Sequence, residues 1–182
     1  MIQTIGMLEF NSIAKGIETC DVMLKAAEVS LIRTSTVCPG KYIIIIYGDT
    51  GSVKASILAG EINGGNCVVD KMIIQNVHPR LIPALSGTAQ VQRGDAIGAM
   101  EFYSITSAIK AADVAAKAAQ ISLVSITMGY AVGGKGIVTL TGDVGAVRAA
   151  VAAGIEEPSK NDLYIGSTVI PKYAPELFDS LL

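Results

Sequence analysis

The sequence repeats itself once, at the scale of a whole domain. Ile5-Gly6-Met7-Leu8-Glu9-Phe10 returns as Ile97-Gly98-Ala99-Met100-Glu101-Phe102, an offset of 92. The register holds through Ser12/Ser104, Ile17/Ile109, Asp21/Asp113 and Lys25-Ala26-Ala27/Lys117-Ala118-Ala119. Two extra residues then enter the second copy. Gly40-Lys41 matches Gly134-Lys135, and Gly48-Asp49-x-Gly51 matches Gly142-Asp143-x-Gly145, at an offset of 94. Val77/Val169, Pro79/Pro171 and Pro83/Pro175 stand again at 92. A period this long is a domain, not a solenoid unit. The expected organisation is a first domain over 1–87, a linker over 88–94 and a second domain over 95–182.

Each copy carries the same series of elements. Thr4 to Phe10 reads as a short strand. Asn11 or Ser12 caps a helix whose apolar residues Ile13, Ile17, Cys20, Leu24 and Ala27 keep helical spacing and are expected in the core. Ile105, Ile109, Ala112, Ala116 and Ala119 repeat that stripe. Ser30–Val37 and Tyr42–Tyr47 read as strands joined by Cys38-Pro39-Gly40-Lys41, with the Pro and Gly placed as in a type II turn and Cys38 at the tip. Asp49 or Thr50 caps a second helix that Gly64-Gly65 ends; Val68–Val77 is a further strand, and Pro79 opens a short helix. The order strand–helix–strand–strand–helix–strand is the split βαβ, ferredoxin-like arrangement. The expected fold is therefore α/β (α+β), with a four-stranded antiparallel sheet and flanking helices in each domain.

Composition narrows the function. The 182 residues include 14 Lys+Arg and 16 Asp+Glu, a formal net charge of −2, with 51% apolar and only 16% charged residues. Disordered chains are rich in charge and poor in aliphatics, so disorder is excluded. No basic run exists to neutralise phosphates, so no nucleic-acid partner is expected. The longest aliphatic run, Tyr42–Tyr47, falls far short of the ~20 residues of a membrane span, and the N-terminus lacks a signal-peptide pattern. A chain of mean hydropathy +0.50 is expected to bury much of its surface against partners.

Catalytic signatures are missing, and no enzyme is expected. The single histidine, His78, has no nucleophile motif beside it, and no GxSxG, HExxH or Walker sequence occurs. Gly133-Gly134-Lys135-Gly136 leads into a strand, not into the helix N-terminus an anion site uses. Three cysteines without CxxC spacing point to free thiols in a reducing cytosol. Cys20 lies on a helix core stripe and Cys67 opens a strand, whereas nothing in the packing calls for a thiol at Cys38. One such cysteine cannot build a thiolate metal site, which takes three or four ligands, unless a symmetry axis brings several copies together.

The Gly6-x-x-Glu9 strand, the Asp21-x-x-x-Lys25-Ala26-Ala27 helix, the glycine-bearing hairpin, Gly48-Asp49-x-Gly51 and the terminal Pro motifs resemble the bacterial microcompartment (BMC) shell domain, in both copies. The resemblance implies a homotrimer of tandem domains that imitates a hexamer and tiles with other shell proteins at its lateral edges, in a cytoplasmic microcompartment shell. Val37-Cys38-Pro39-Gly40-Lys41 resembles the T-type shell proteins of propanediol-utilising compartments. That likeness implies a [4Fe–4S] cluster, one per trimer, held at a central pore by Cys38 of three chains. It also implies pore loops formed by Pro39, Gly40 and Lys41 and by Gly133, Gly134 and Lys135. Lys25 and Lys117 resemble the family's lateral-edge lysine, and Arg80 and Lys172 its basic edge residue, in a motif otherwise altered here. The implied role is electron transfer across the shell or cluster delivery, with encapsulated or cytosolic redox enzymes as partners. A plain gated metabolite pore is the alternative within the family. A cytosolic small-ligand sensor is the alternative outside it, since a fold does not fix a function.

Overall fold

The computed structural model describes residues 4–160 and 162–181. The first copy contains β1 (Thr4–Phe10), α1 (Ile13–Ala26), β2 (Ser30–Val37), β3 (Lys41–Gly48), α2 (Thr50–Gly64), a 3-10 turn at Gly65–Cys67, β4 (Val68–Ile74) and α3 (Leu81–Ser86). The second contains β5 (Ala96–Phe102), α4 (Ile105–Ala118), β6 (Ser122–Met128), β7 (Gly136–Gly142), α5 (Val144–Lys160), β8 (Tyr164–Pro171) and α6 (Pro175–Asp179). The strand orders are β2-β3-β1-β4 and β6-β7-β5-β8, antiparallel throughout, as the split βαβ reading requires. No helix among the described residues is long and apolar enough to cross a membrane.

Local chemistry sets the helix starts. The Ser12 side chain accepts from the Lys15 N–H, and Ser104 accepts from Ser107, so the serine of each copy satisfies a backbone donor that the helix leaves open. Asp49 accepts from the N–H groups of Gly51 and Ser52 at the start of α2. Hydrogen bonds from Ser52, with that of Gly51, hold its carboxyl below the usual range. In the first unit the helices cover one sheet face with a core of Leu8, Phe10, Met23, Ile44, Ile46, Val53 and Ile57. Each such fully buried side chain contributes about 1.5–3 kcal/mol relative to exposure.

Contacts divide the chain into Met1–Val77 and His78–Leu182. The boundary expected near 87 thus lies earlier, because α3 packs on α4 and β6 of the second unit. The segment expected as a linker, 88–94, is likewise fastened within that unit. Val91 packs with Ile97, Val124 and Phe178, and the Gly94 carbonyl accepts from the Tyr173 hydroxyl at 2.8 Å. Strand β4 also ends at Ile74, short of the expected Val77. The reason is register. Met7 faces Met72, whereas its counterpart Ala99 faces Thr168, four places beyond the repeat offset. The first copy therefore passes its extra residues into the connection between β4 and α3.

The apolar stripe expected in the core splits between the copies. On α4, Ile105, Ile109, Ala112 and Ala116 are buried. On α1, Ile13, Ile17 and Leu24 are exposed, and the helix turns Gly16, Thr19 and Met23 inward instead. Gly16 is there because Tyr42 lies so close that a Cβ would stand 2.5 Å from its ring. The Thr19 hydroxyl donates to Asn63 of α2.

Candidate functional site

The two hairpin ends are counterparts of unequal length. Between β2 and β3, Val37 pairs with Lys41 and Cys38, Pro39 and Gly40 form the connection. This three-residue loop replaces the expected type II turn: the Cys38–Pro39 peptide is cis, and Gly40 takes a φ of +78° that favours glycine. In the second copy the Gly129 N–H donates to the Lys135 carbonyl at 2.9 Å, enclosing Tyr130 to Gly134. The two extra residues of the repeat therefore sit in this loop. Gly133 and Gly134 have φ of +65° and +82° and lead directly into β7, so no helix N-terminus stands behind them for an anion.

Both loops are tied to the adjoining strand by the same ion pair. Lys41 Nζ lies 2.8 Å from Glu9 Oε1, and Lys135 Nζ lies 2.9 Å from Glu101 Oε1. The Glu101 carboxylate holds the Lys135 ammonium above its ordinary range. The pairs differ in depth, since the Glu9 side chain is 6% exposed and that of Glu101 36%. Sequence reasoning left these glutamates out of the site. The signal was present, because Glu9/Glu101 and Lys41/Lys135 both recur in the duplication.

The cysteines separate as expected. Cys20 and Cys67 pack against the first core, and burial, helped by the Asp21 charge, raises the Cys20 thiol. Cys38 is half-buried in the loop. A soft thiol in a short hairpin loop suits an iron–sulfur or zinc site but supplies only one ligand. Among the described residues no three His, Cys, Asp or Glu gather to hold a metal ion. A metal at Cys38 accordingly needs thiolates from other copies.

The residues expected at the edge fall into two groups. In the second unit the Lys117 ammonium pairs with Asp113, the His78 N–H donates to Asp113 Oδ1 at 2.8 Å, and the Arg80 guanidinium donates to the Ile121 carbonyl. Lys117 and Arg80 are thus brought together around His78 and Asp113. In the first unit Lys25 pairs with Asp21 at 2.6 Å on an open surface. Lys172 is exposed, has a φ of +49°, and donates its N–H to the Asp95 carbonyl.

The duplicated split βαβ unit, with hairpins braced alike by Glu–Lys contacts, makes this a tandem-domain α/β protein. The chain belongs to the BMC domain family, which matches residues 4–77 and 96–173. It is 40% identical over 172 residues to the bacterial microcompartment shell protein PduT of Citrobacter freundii, covering 94% of each chain. It is 37% identical over 84 residues to the carboxysome shell protein CsoS1 of Prochlorococcus marinus, which covers 44% of this chain and 82% of that one. One copy of the repeat thus corresponds to most of a smaller shell protein. Among solved structures, a microcompartment protein from Desulfitobacterium hafniense superposes with a TM-score of 0.94 at 45% identity, covering 97% of this chain and 98% of the other. Membership of this family places the chain in a microcompartment shell.

Proposed function

We propose that the chain forms a pseudo-hexameric homotrimer in the shell, with the Cys38 loops of three copies around a central pore. Three Cys38 thiolates would hold one [4Fe–4S] cluster there, serving electron transfer across the shell or delivery of the cluster to encapsulated or cytosolic redox enzymes. The observation that carries this reading is the contrast among the cysteines: two are packed against the core, and Cys38 alone sits in a loop. The cluster would supply one-electron chemistry. The protein's own contribution is positional. The Val37–Lys41 pairing fixes the loop, the Glu9–Lys41 contact braces its second strand, and the half-buried setting limits water around the thiol. Lys25, Lys117, Arg80 and Lys172 are assigned to the lateral edges, where other shell proteins meet the trimer, and the role is structural and conductive rather than enzymatic.

Protein purified without oxygen should contain iron and acid-labile sulfide, about four of each per three chains. Cys38→Ser should lose both and remain a trimer; Cys20→Ala and Cys67→Ala should keep both. Iron at wild-type level in Cys38→Ser would remove Cys38 as the ligand. A plain gated metabolite pore, with Cys38 unligated, is the second reading within the same family. A wild-type trimer free of iron would establish it in place of the first.

A further inference from the structure

The second unit contains a cleft outside the hairpin loops. Its larger part, about 520 Å³, has an apolar wall of Pro79, Pro83, Ala89, Val91 and Leu123. A smaller part, about 280 Å³, adjoins it and reaches Asp143, just before α5. Arg80, Gln92 and Ser122 line both parts and so stand at their junction. The larger volume is that of a small-molecule site. Among the described residues lining that part, Arg80 alone carries a charge. Its guanidinium is steadied by donating to the Ile121 carbonyl, and no carboxylate among the described residues stands within ion-pair distance of it. Asp113, the acid beside His78, is already taken by Lys117 and by the His78 N–H. Gln92 and Ser122 make no side-chain hydrogen bond among the described residues.

We propose that this cleft binds a small aliphatic monocarboxylate, with its carboxylate at the Arg80–Gln92–Ser122 junction and its chain along the apolar wall. A guanidinium with open N–H groups is a planar fork that matches a carboxylate, and one already steadied by a backbone carbonyl loses less freedom on binding. Gln92 and Ser122 supply further donors to the carboxylate oxygens. One uncompensated positive charge asks for one negative charge, and Asp143 in the smaller part disfavours a second. The apolar wall selects the body of the ligand, because each methylene withdrawn from water there adds affinity. Inorganic phosphate has no such body and fits worse. The site lies within one unit of one chain and uses the donors that the Ile121 carbonyl leaves open. It is therefore independent of the cluster and of the trimer, and it gives Arg80 a role beyond the lateral edge.

Saturation-transfer NMR and equilibrium dialysis with hexanoate, on the full chain, test this. Hexanoate should bind the wild type with a Kd on the order of 1 mM or below, and 1-hexanol and inorganic phosphate at least about tenfold more weakly. Arg80→Gln removes the fork, and Ala89→Asp sets a like charge against the ligand's chain. Both should fold normally by circular dichroism, since Arg80 is exposed and Ala89 lies outside the helices and strands. Each should weaken hexanoate at least about tenfold. Hexanoate that fails to bind at about 10 mM, or that binds both variants within about twofold of wild type, overturns the inference. Phosphate that displaces hexanoate at equal concentration also overturns it, because the site would then read charge alone. None of these outcomes bears on iron at Cys38, so the cluster reading stands or falls separately.

Discussion

In the first unit Gly16 of α1 lies under the ring of Tyr42 on β3; in the second, Ala108 of α4 lies over Gly136 of β7. A Cβ on Gly16 would stand 2.5 Å from the Tyr42 ring, and one on Gly136 would stand 2.5 Å from the Ala108 Cβ and 2.9 Å from the Ser104 carbonyl oxygen. The flanking pairings correspond, Phe10 with Tyr42 and Phe102 with Gly136. Both copies therefore keep one close helix–strand crossing in which one partner is glycine, with a ring on the strand in the first and a methyl on the helix in the second. A duplicated domain can diverge this way because so close an approach leaves room for a side chain on one element only, and either element can supply it.

The largest effect is expected from breaking that exchange on one side. Gly136→Tyr forces a ring against α4 and should cost about 3 kcal/mol, read from urea unfolding. Adding Ala108→Gly recreates the arrangement of the first copy and should recover at least about half of the loss. Equal costs for the single and double variants would show that the two sites are not coupled. The reciprocal bulk is visible in the sequence only after the register between β3 and β7 is known.

The braces of the two hairpins offer a second comparison. Removing Lys41 leaves the nearly buried Glu9 carboxylate without its cation; removing Lys135 leaves Glu101 with water to solvate it. Lys41→Met should therefore cost about 2 kcal/mol, while Lys135→Met should be close to neutral in the same unfolding measurement. Equal losses would mean that the burial difference between the glutamates has no energetic consequence.

The duplication made the fold legible because each strand and helix was read twice, and an accident in one copy does not recur in the other. Loop lengths were legible for the same reason: the two inserted residues sit in the second hairpin, where the offset changes. Helix faces were harder. Apolar residues at helical spacing announce that a face leaves water, but not what covers it. Ile105 and Ile109 meet their cover within the chain, and Ile13 and Ile17 do not. The inward face of α1 uses Gly16, Thr19 and Met23, which a hydrophobic pattern does not weigh. The place of α3 was hidden because its residues continue the first copy in sequence while its contacts belong to the second unit. The loop position of Cys38 was legible because the Pro39-Gly40 pair that follows it marks a turn between two strands.

The smallest expected effect separates the units by pH. His78 is the only histidine, and it belongs to the second unit. Burial, with the charges of Arg80 and Lys117, holds its imidazole below the ordinary value of 6.5, against the pull of Asp113. The folded state thus takes up a proton less readily than the unfolded chain. Its contribution to stability is intact above the unfolded value and falls as the pH drops from there through the lowered folded value. Between about pH 7.5 and about pH 5.5, the wild-type melting midpoint should fall further than that of His78→Asn. Because the contact to Asp113 runs through the backbone N–H, the asparagine variant keeps it, and the difference isolates the imidazole. Identical slopes in the two proteins would mean that the surroundings of His78 do not penalise its charge.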